Sequence, residues 1–280
     1  MQYKKIITGG CGFSDIIVPY VWPNQLENYI KRTSSDITFD HRGLTSQGQK
    51  LIQKKIINAI CSSLDQGYKP NQICVFVMWS DPTTKTFYIK NKELIDKLID
   101  NWKNSTQSWH LQFGDLENKA QEKNIIYSLA TDINSVQYNK NGGWFITSPY
   151  INDNINLITE LHQMGSENKE TMTAFDAHDS LENMILLQSF CKEKGIKLYQ
   201  QFALDSLIQS FTLFKKYDIV GYLYSQLDFG TFISPNNSMV GYLKDNTECF
   251  RENQTLNGLG HRKWITEVML PHLVDDSFFE

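Results

Sequence analysis

Residues 73–79 read Ile-Cys-Val-Phe-Val-Met-Trp, an apolar run with no polar interruption. A strand with one wet face alternates polar and apolar side chains. An unbroken run therefore predicts a strand covered on both faces, as in parallel sheets flanked by helices. The stretch Lys4-Lys5-Ile6-Ile7-Thr8-Gly9-Gly10 has the same character. Between the two, Ser46 and Gln49 have the spacing of a capping box, and Leu51, Ile52, Ile56 and Ile60 recur at helical intervals. Strand, helix and strand in that order make a β-α-β unit, and "DITFD" (Asp36 to Asp40) offers one more strand ahead of the helix.

A second unit follows later in the chain. Asp179 and Glu182 are placed to cap a helix, Leu181, Met184, Leu187 and Cys191 give it an apolar face, and Gly195 stops it before the strand Ile196 to Leu204. A last helix is expected from about Gly260, with Trp264, Ile265, Val268 and Met269 on its apolar side. Residues 104–165, with Trp109, Trp144 and the turn Lys140 to Gly143, carry no clear period and read as an insertion. No Pro/Gly/Ser-rich linker divides the chain. The expected fold is one α/β domain over residues 1–280, a three-layer α/β/α sandwich of flavodoxin-like type with a mostly parallel sheet. In such folds ligands sit beyond the C-terminal strand ends. That rim would gather the turn Gly9 to Asp15, the loop at Gly43, the loop after Trp79 and the segment before His261.

Charge and cysteine usage exclude several functions. A formal net charge of −4 gives the surface no general attraction for a polyanion, so nucleic acid is not an expected partner. The five cysteines are odd in number, scattered and without a C-x-x-C pair, which fits neither a disulfide framework nor a zinc cage. No apolar run reaches membrane-spanning length and the N-terminus lacks a signal-peptide core, so synthesis in the cytoplasm without membrane insertion is expected.

The turn "GGCGFSD" is where chemistry would be sought. It lacks the Gly-Lys-Ser/Thr of a phosphate loop, and Gly10-Cys11-Gly12-Phe13-Ser14-Asp15 lacks the third glycine of a dinucleotide fingerprint, so no cofactor is expected. "DFG" (Asp228 to Gly230) has no kinase lysine motif or catalytic loop beside it. Asp176, His178 and Asp179 have side chains suited to a metal, but they read more simply as a solvated turn with a helix cap, and no metal is expected. His41, His110, His162 and His272 have no titratable companion at a useful spacing and read as structural.

The order "GGCGFSD", "HRGLTSQGQKLI", "VFVMWSDP" and "NGLGHRKW" resembles the SGNH (GDSL-type) hydrolases, and looks closest to SGNH-like proteins of phages infecting marine bacteria. The likeness covers most of the chain outside the insertion. The family's first block, Gly-Asp/Cys-Ser-x-Thr/Ser, falls on Gly10 to Ser14 and puts Gly12 at the nucleophile's place. Gly43 matches the second block's oxyanion glycine, and Ser80 and Asp81 stand where the third block has an asparagine. Aligning the last block on Gly260 and His261 puts Thr255 at the catalytic histidine and Glu252 or Asn253 at the acid.

A serine becomes nucleophilic only with a base in hydrogen-bond reach and a third group to orient that base. Gly12 and Thr255 supply neither, so the resemblance implies a retained fold with no catalytic residue in the usual places. The expected role is binding or assembly, in contact with other virion proteins, with copies of itself or with host surface glycan, in a phage particle. Gly10, Cys11, Ser14, Gly43, Ser80 and Asp81 would line the inherited groove. The alternative is an active esterase on polysaccharide ester groups, with Ser14, Glu252 and His261 as the candidate machinery.

Overall fold

The computed structural model describes residues 3–16, 18–43, 47–82, 85–89, 143–147, 169–251 and 255–279. In chain order these form β1 (Lys5–Gly10), α1 (Trp22–Thr33), β2 (Thr38–His41), α2 (Gln49–Asp65), β3 (Ile73–Trp79), β4 (Lys85–Ile89) and β5 (Gly143–Thr147). There follow α3 (Lys169–Lys194), β6 (Lys197–Phe202), α4 (Asp205–Phe214), α5 (Asp218–Ser225), α6 (Met239–Leu243), α7 (Gly258–Trp264) and α8 (Leu270–Asp275).

The main sheet has the order β2-β1-β3-β6 and every pairing in it is parallel. All seven residues of β3 are buried. Each large apolar side chain so covered contributes about 1.5–3 kcal/mol, which explains why an uninterrupted apolar run occupies the middle of the sheet. Ile73, Val75 and Val77 face a core shared with α2, α3, α4 and α5. Cys74, Phe76 and Met78 face a second core shared with α1, α6, α7 and α8. Helices on both faces of a parallel sheet make the three-layer α/β/α sandwich expected. The small antiparallel pair β4-β5 stands apart from it.

Helix ends follow their local chemistry. Gly195 takes a positive φ of 69° and turns the chain from α3 into β6, with Ile196 N–H returning to the Cys191 carbonyl. Pro271 cannot donate to the carbonyl four residues back, and the stretch Ile265–Met269 before it is a π-helix in which Leu270 N–H reaches the Ile265 carbonyl.

Several expectations are corrected. α3 begins at Lys169, so Asp179 and Glu182 are interior helix positions and Asp176 to Asp179 is no loop. Asp176 is buried with Ala177, Ser180 and Leu181 on the covered face, whereas His178, Asp179 and Glu182 lie toward the outer face, a helical period that the capping pattern obscured. Gly48 stands at the N-cap of α2, and Ser46 lies outside the described residues. β2 runs over Thr38–His41 rather than Asp36 to Asp40. α7 starts at Gly258, two residues before Gly260, because Asn257 caps it through Oδ1 to the amides of Leu259 and Gly260. Within the insertion only residues 143–147 are described, so the readings on Trp109, His110, His162 and most of the turn Lys140 to Gly143 lie outside the described residues, as do Glu252 and Asn253. Among the described residues no helix is long and apolar enough to cross a membrane.

Candidate functional site

The chain passes from β2 across β1 to β3, so the switch point of the sheet lies between β1 and β3. Beyond their C-terminal ends is the crevice where open parallel sheets bind ligands. β1 ends in Gly10 at φ 146°, and a Cβ there would overlap the Met78 carbonyl and stand 2.6 Å from Ser14 Oγ. The chain then makes a 3₁₀ turn, Gly12–Ser14, closed by Ser14 N–H to the Cys11 carbonyl at 2.7 Å. Gly43 lies against the Ser14 backbone so closely that a Cβ would overlap the Ser14 carbonyl oxygen. Both glycines thus allow the turn to fold down onto the sheet.

Ser14 is fully buried by this packing. Its Oγ accepts the indole N–H of Trp22 at 2.9 Å, and the backbone N–H of Trp22 donates to Nδ1 of His261 at 3.2 Å. Serine and histidine are therefore both bound to Trp22. With its Nδ1 lone pair engaged, neutral His261 carries its proton on Nε2, where it can donate but not accept. Burial first, and then the charge of Arg251, hold the imidazole down to about 3. The residue weighed as a base is thus a neutral donor.

Cys11, the N-cap of the turn, is buried. Burial pushes its thiol up to about 12, with the Asp81 carboxylate adding to the effect against the Phe13 amide, so no thiolate nucleophile forms near neutral pH. Asp81 accepts from Ser206 Oγ at 2.6 Å. Ser80 is clamped by Gln49, whose Oε1 accepts the Ser80 N–H at 3.1 Å while its Nε2 donates to the Ser80 carbonyl at 2.7 Å. Both backbone polar groups of Ser80 are committed to this clamp. Thr255 is exposed, and its carbonyl takes the N–H of Arg251 in the loop before α7.

The structure thus brings Gly10, Cys11, Ser14, Gly43, Asp81 and His261 into one packed end of the sandwich. Asp176, His178 and Asp179 belong to α3 instead, where His178 pairs with Glu182 at 3.7 Å. Among the described residues no group of three His, Cys, Asp or Glu side chains is placed to hold a metal ion.

One constellation was missed. His41 accepts or donates at Thr8 Oγ1 through Nδ1 (2.6 Å) and pairs with Glu27 Oε2 through Nε2 (2.7 Å), so its reading as a residue without a titratable companion is corrected. The two partners come from β1 and α1, and no spacing rule along the chain connects them to β2. Burial raises the Glu27 carboxyl, but Lys31 and His41 outweigh it and leave the group below its usual value. Hydroxyl, imidazole and carboxylate in series have the form of a catalytic triad. Thr8, however, is fully buried within β1, so no acyl group can reach its oxygen, and the series ties β2 and α1 to β1.

Comparison of the chain with protein families, with curated proteins and with solved structures finds no match.

Proposed function

We propose that this chain is a catalytically degenerate SGNH-like domain that acts by binding or assembly, as part of a phage particle or in contact with host surface glycan. The SGNH and phage assignments come from the resemblance of the four blocks. The observation that carries the non-catalytic reading is the position of Trp22, which takes Ser14 with its indole and His261 with its backbone. An acyl-transfer nucleophile needs an exposed oxygen in contact with a free imidazole lone pair. Ser14 has neither exposure nor such a contact, and Gly12 at the family's nucleophile position has no side chain. A fold kept without its chemistry still offers a rigid surface.

The test is direct. Purified protein is incubated with p-nitrophenyl esters of increasing acyl length and with a serine-directed phosphonate, in parallel with the Ser14→Ala variant. The expected result is turnover at the buffer rate and no labelled residue. Turnover abolished by Ser14→Ala would make the chain an esterase instead.

A further inference from the structure

Among the described residues, the large apolar side chains that are more than half exposed are Phe175, Leu186, Leu213, Ile219, Tyr222 and Val274. All but Val274 stand on α3, α4 or α5, helices that cover the same face of the sheet. Single exposed apolar groups are ordinary, but their concentration on one helix layer marks an interaction surface. α4 also borders an open groove of about 800 Å³, lined by Ile208, Thr212 and Leu213 and ending at Lys215 and Lys216. Both lysines are exposed, and Lys216 Nζ lies 5.4 Å from the centroid of the Tyr217 ring. The groove is apolar along its length and basic at one end.

The outer stripe of α3 has the opposite charge. Phe175 is 66% exposed and its ring stacks on His178. Glu182, its side chain 57% exposed, and Leu186, 54% exposed, follow at helical spacing on the same side. A carboxylate thus stands between two apolar groups. The stripe from Phe175 to Leu186 is about 16 Å long and the groove from Ile208 to Lys216 about 12 Å, at a rise of about 1.5 Å per residue. Laid in the groove, the stripe sets apolar against apolar and Glu182 against the lysines. Every copy of the chain carries both halves on one layer, so a two-fold axis makes the contact twice. We propose that the α4 groove takes the α3 stripe of a second copy, in a two-fold dimer. The choice of a second copy as occupant rests on the assembly reading above.

Sedimentation velocity of the whole chain up to about 200 μM reads the association. A concentration-dependent dimer, half-formed by about 100 μM and weakened by added salt, is expected. Leu213→Glu puts a charge in the groove, Lys215→Glu with Lys216→Glu reverses its basic end, and Glu182→Lys reverses the stripe. Each should weaken the dimer roughly tenfold or more and leave the urea midpoint unchanged, since all four side chains are exposed. Mixing the Glu182→Lys protein with the lysine-reversed protein restores an opposite-charge pair at both contacts, so the mixed dimer should form with near-parental affinity. A chain that is monomeric at about 200 μM, or no recovery on mixing, would overturn the proposal. A dimer indifferent to all the variants would also overturn it, while assembly through another surface would stand. A monomer that instead binds phosphatidylglycerol vesicles through Lys215 and Lys216 would make the groove a membrane site and overturn both the dimer and its surface.

Discussion

The backbone N–H of Trp22 donates to Nδ1 of His261, a residue 239 positions further along the chain, at 3.2 Å. This bond fixes the tautomer of the imidazole and joins the start of α1 to α7. With Nδ1 so engaged, the neutral imidazole has no free lone pair with which to take a proton.

That arrangement predicts an acid-sensitive stability. In the folded chain His261 stays neutral down to about 3, from an ordinary value of 6.5. Between these values the unfolded chain binds a proton that the folded chain refuses, so stability is complete above the unfolded value and falls as pH drops toward the folded one. From pH 7 to pH 4 the loss from this group is about 3 kcal/mol, as an order of magnitude. Urea midpoints across that range, compared with His261→Gln, isolate it from Glu27 and Asp276. A pH dependence unchanged in the variant would contradict the assigned burial.

Ser14→Ala tests whether the hydroxyl is structural. It leaves the Trp22 indole N–H buried without an acceptor, at a cost of about 1–3 kcal/mol. Chemical denaturation should show that loss, while hydrolysis of p-nitrophenyl acetate stays at the buffer rate for both proteins. An unchanged midpoint would mean that the bond contributes nothing.

Glycines of the rim should differ sharply. Gly43→Ala drives a methyl into the Ser14 backbone, and a loss of about 3 kcal/mol or more, or failure to fold, is expected. Gly12 lies in the 3₁₀ turn and is not in the left-handed region, so Gly12→Ser should stay within about 1 kcal/mol of the parent. The new hydroxyl should not be labelled by a phosphonate above the parental level, since His261 has no free lone pair for it. Rapid labelling would show a base elsewhere on the rim.

The paired glutamines of β6 give a graded comparison. Gln200 Oε1 takes the Trp79 indole at 2.8 Å and its Nε2 donates to Thr231 at 2.8 Å. Gln201 Oε1 takes the Trp264 indole at 2.7 Å, but its buried Nε2 has no partner. Methionine at 200 removes two bonds, and at 201 it removes one bond together with an unpaired donor. Gln200→Met should therefore be the more destabilising, by about 1 kcal/mol, in thermal or urea unfolding.

The sandwich was legible because each of its decisive elements is written in consecutive residues. Ile73 to Trp79 can only be a doubly covered strand, and Gly195 marks the end of its helix by a conformation that few other residues adopt. The long helix α3 was misread at its start, since an Asp and a Glu three residues apart satisfy a cap and a wet helix face equally well. The glycines at 10 and 43 were legible as a rim, but not as the reason Ser14 is covered.

What the sequence determined by itself is the layering of the fold and the absence of any side chain at Gly12 that could react, both consequences of local residue type. What only the tertiary structure decided is the chemical state of the groups that remain. Whether Ser14, Cys11 and His261 are reactive depends on burial and on partners such as Trp22 that lie far away in sequence or on another element. Proton affinity and hydrogen-bond capacity are set by those surroundings, which exist only after the helices have closed over the sheet.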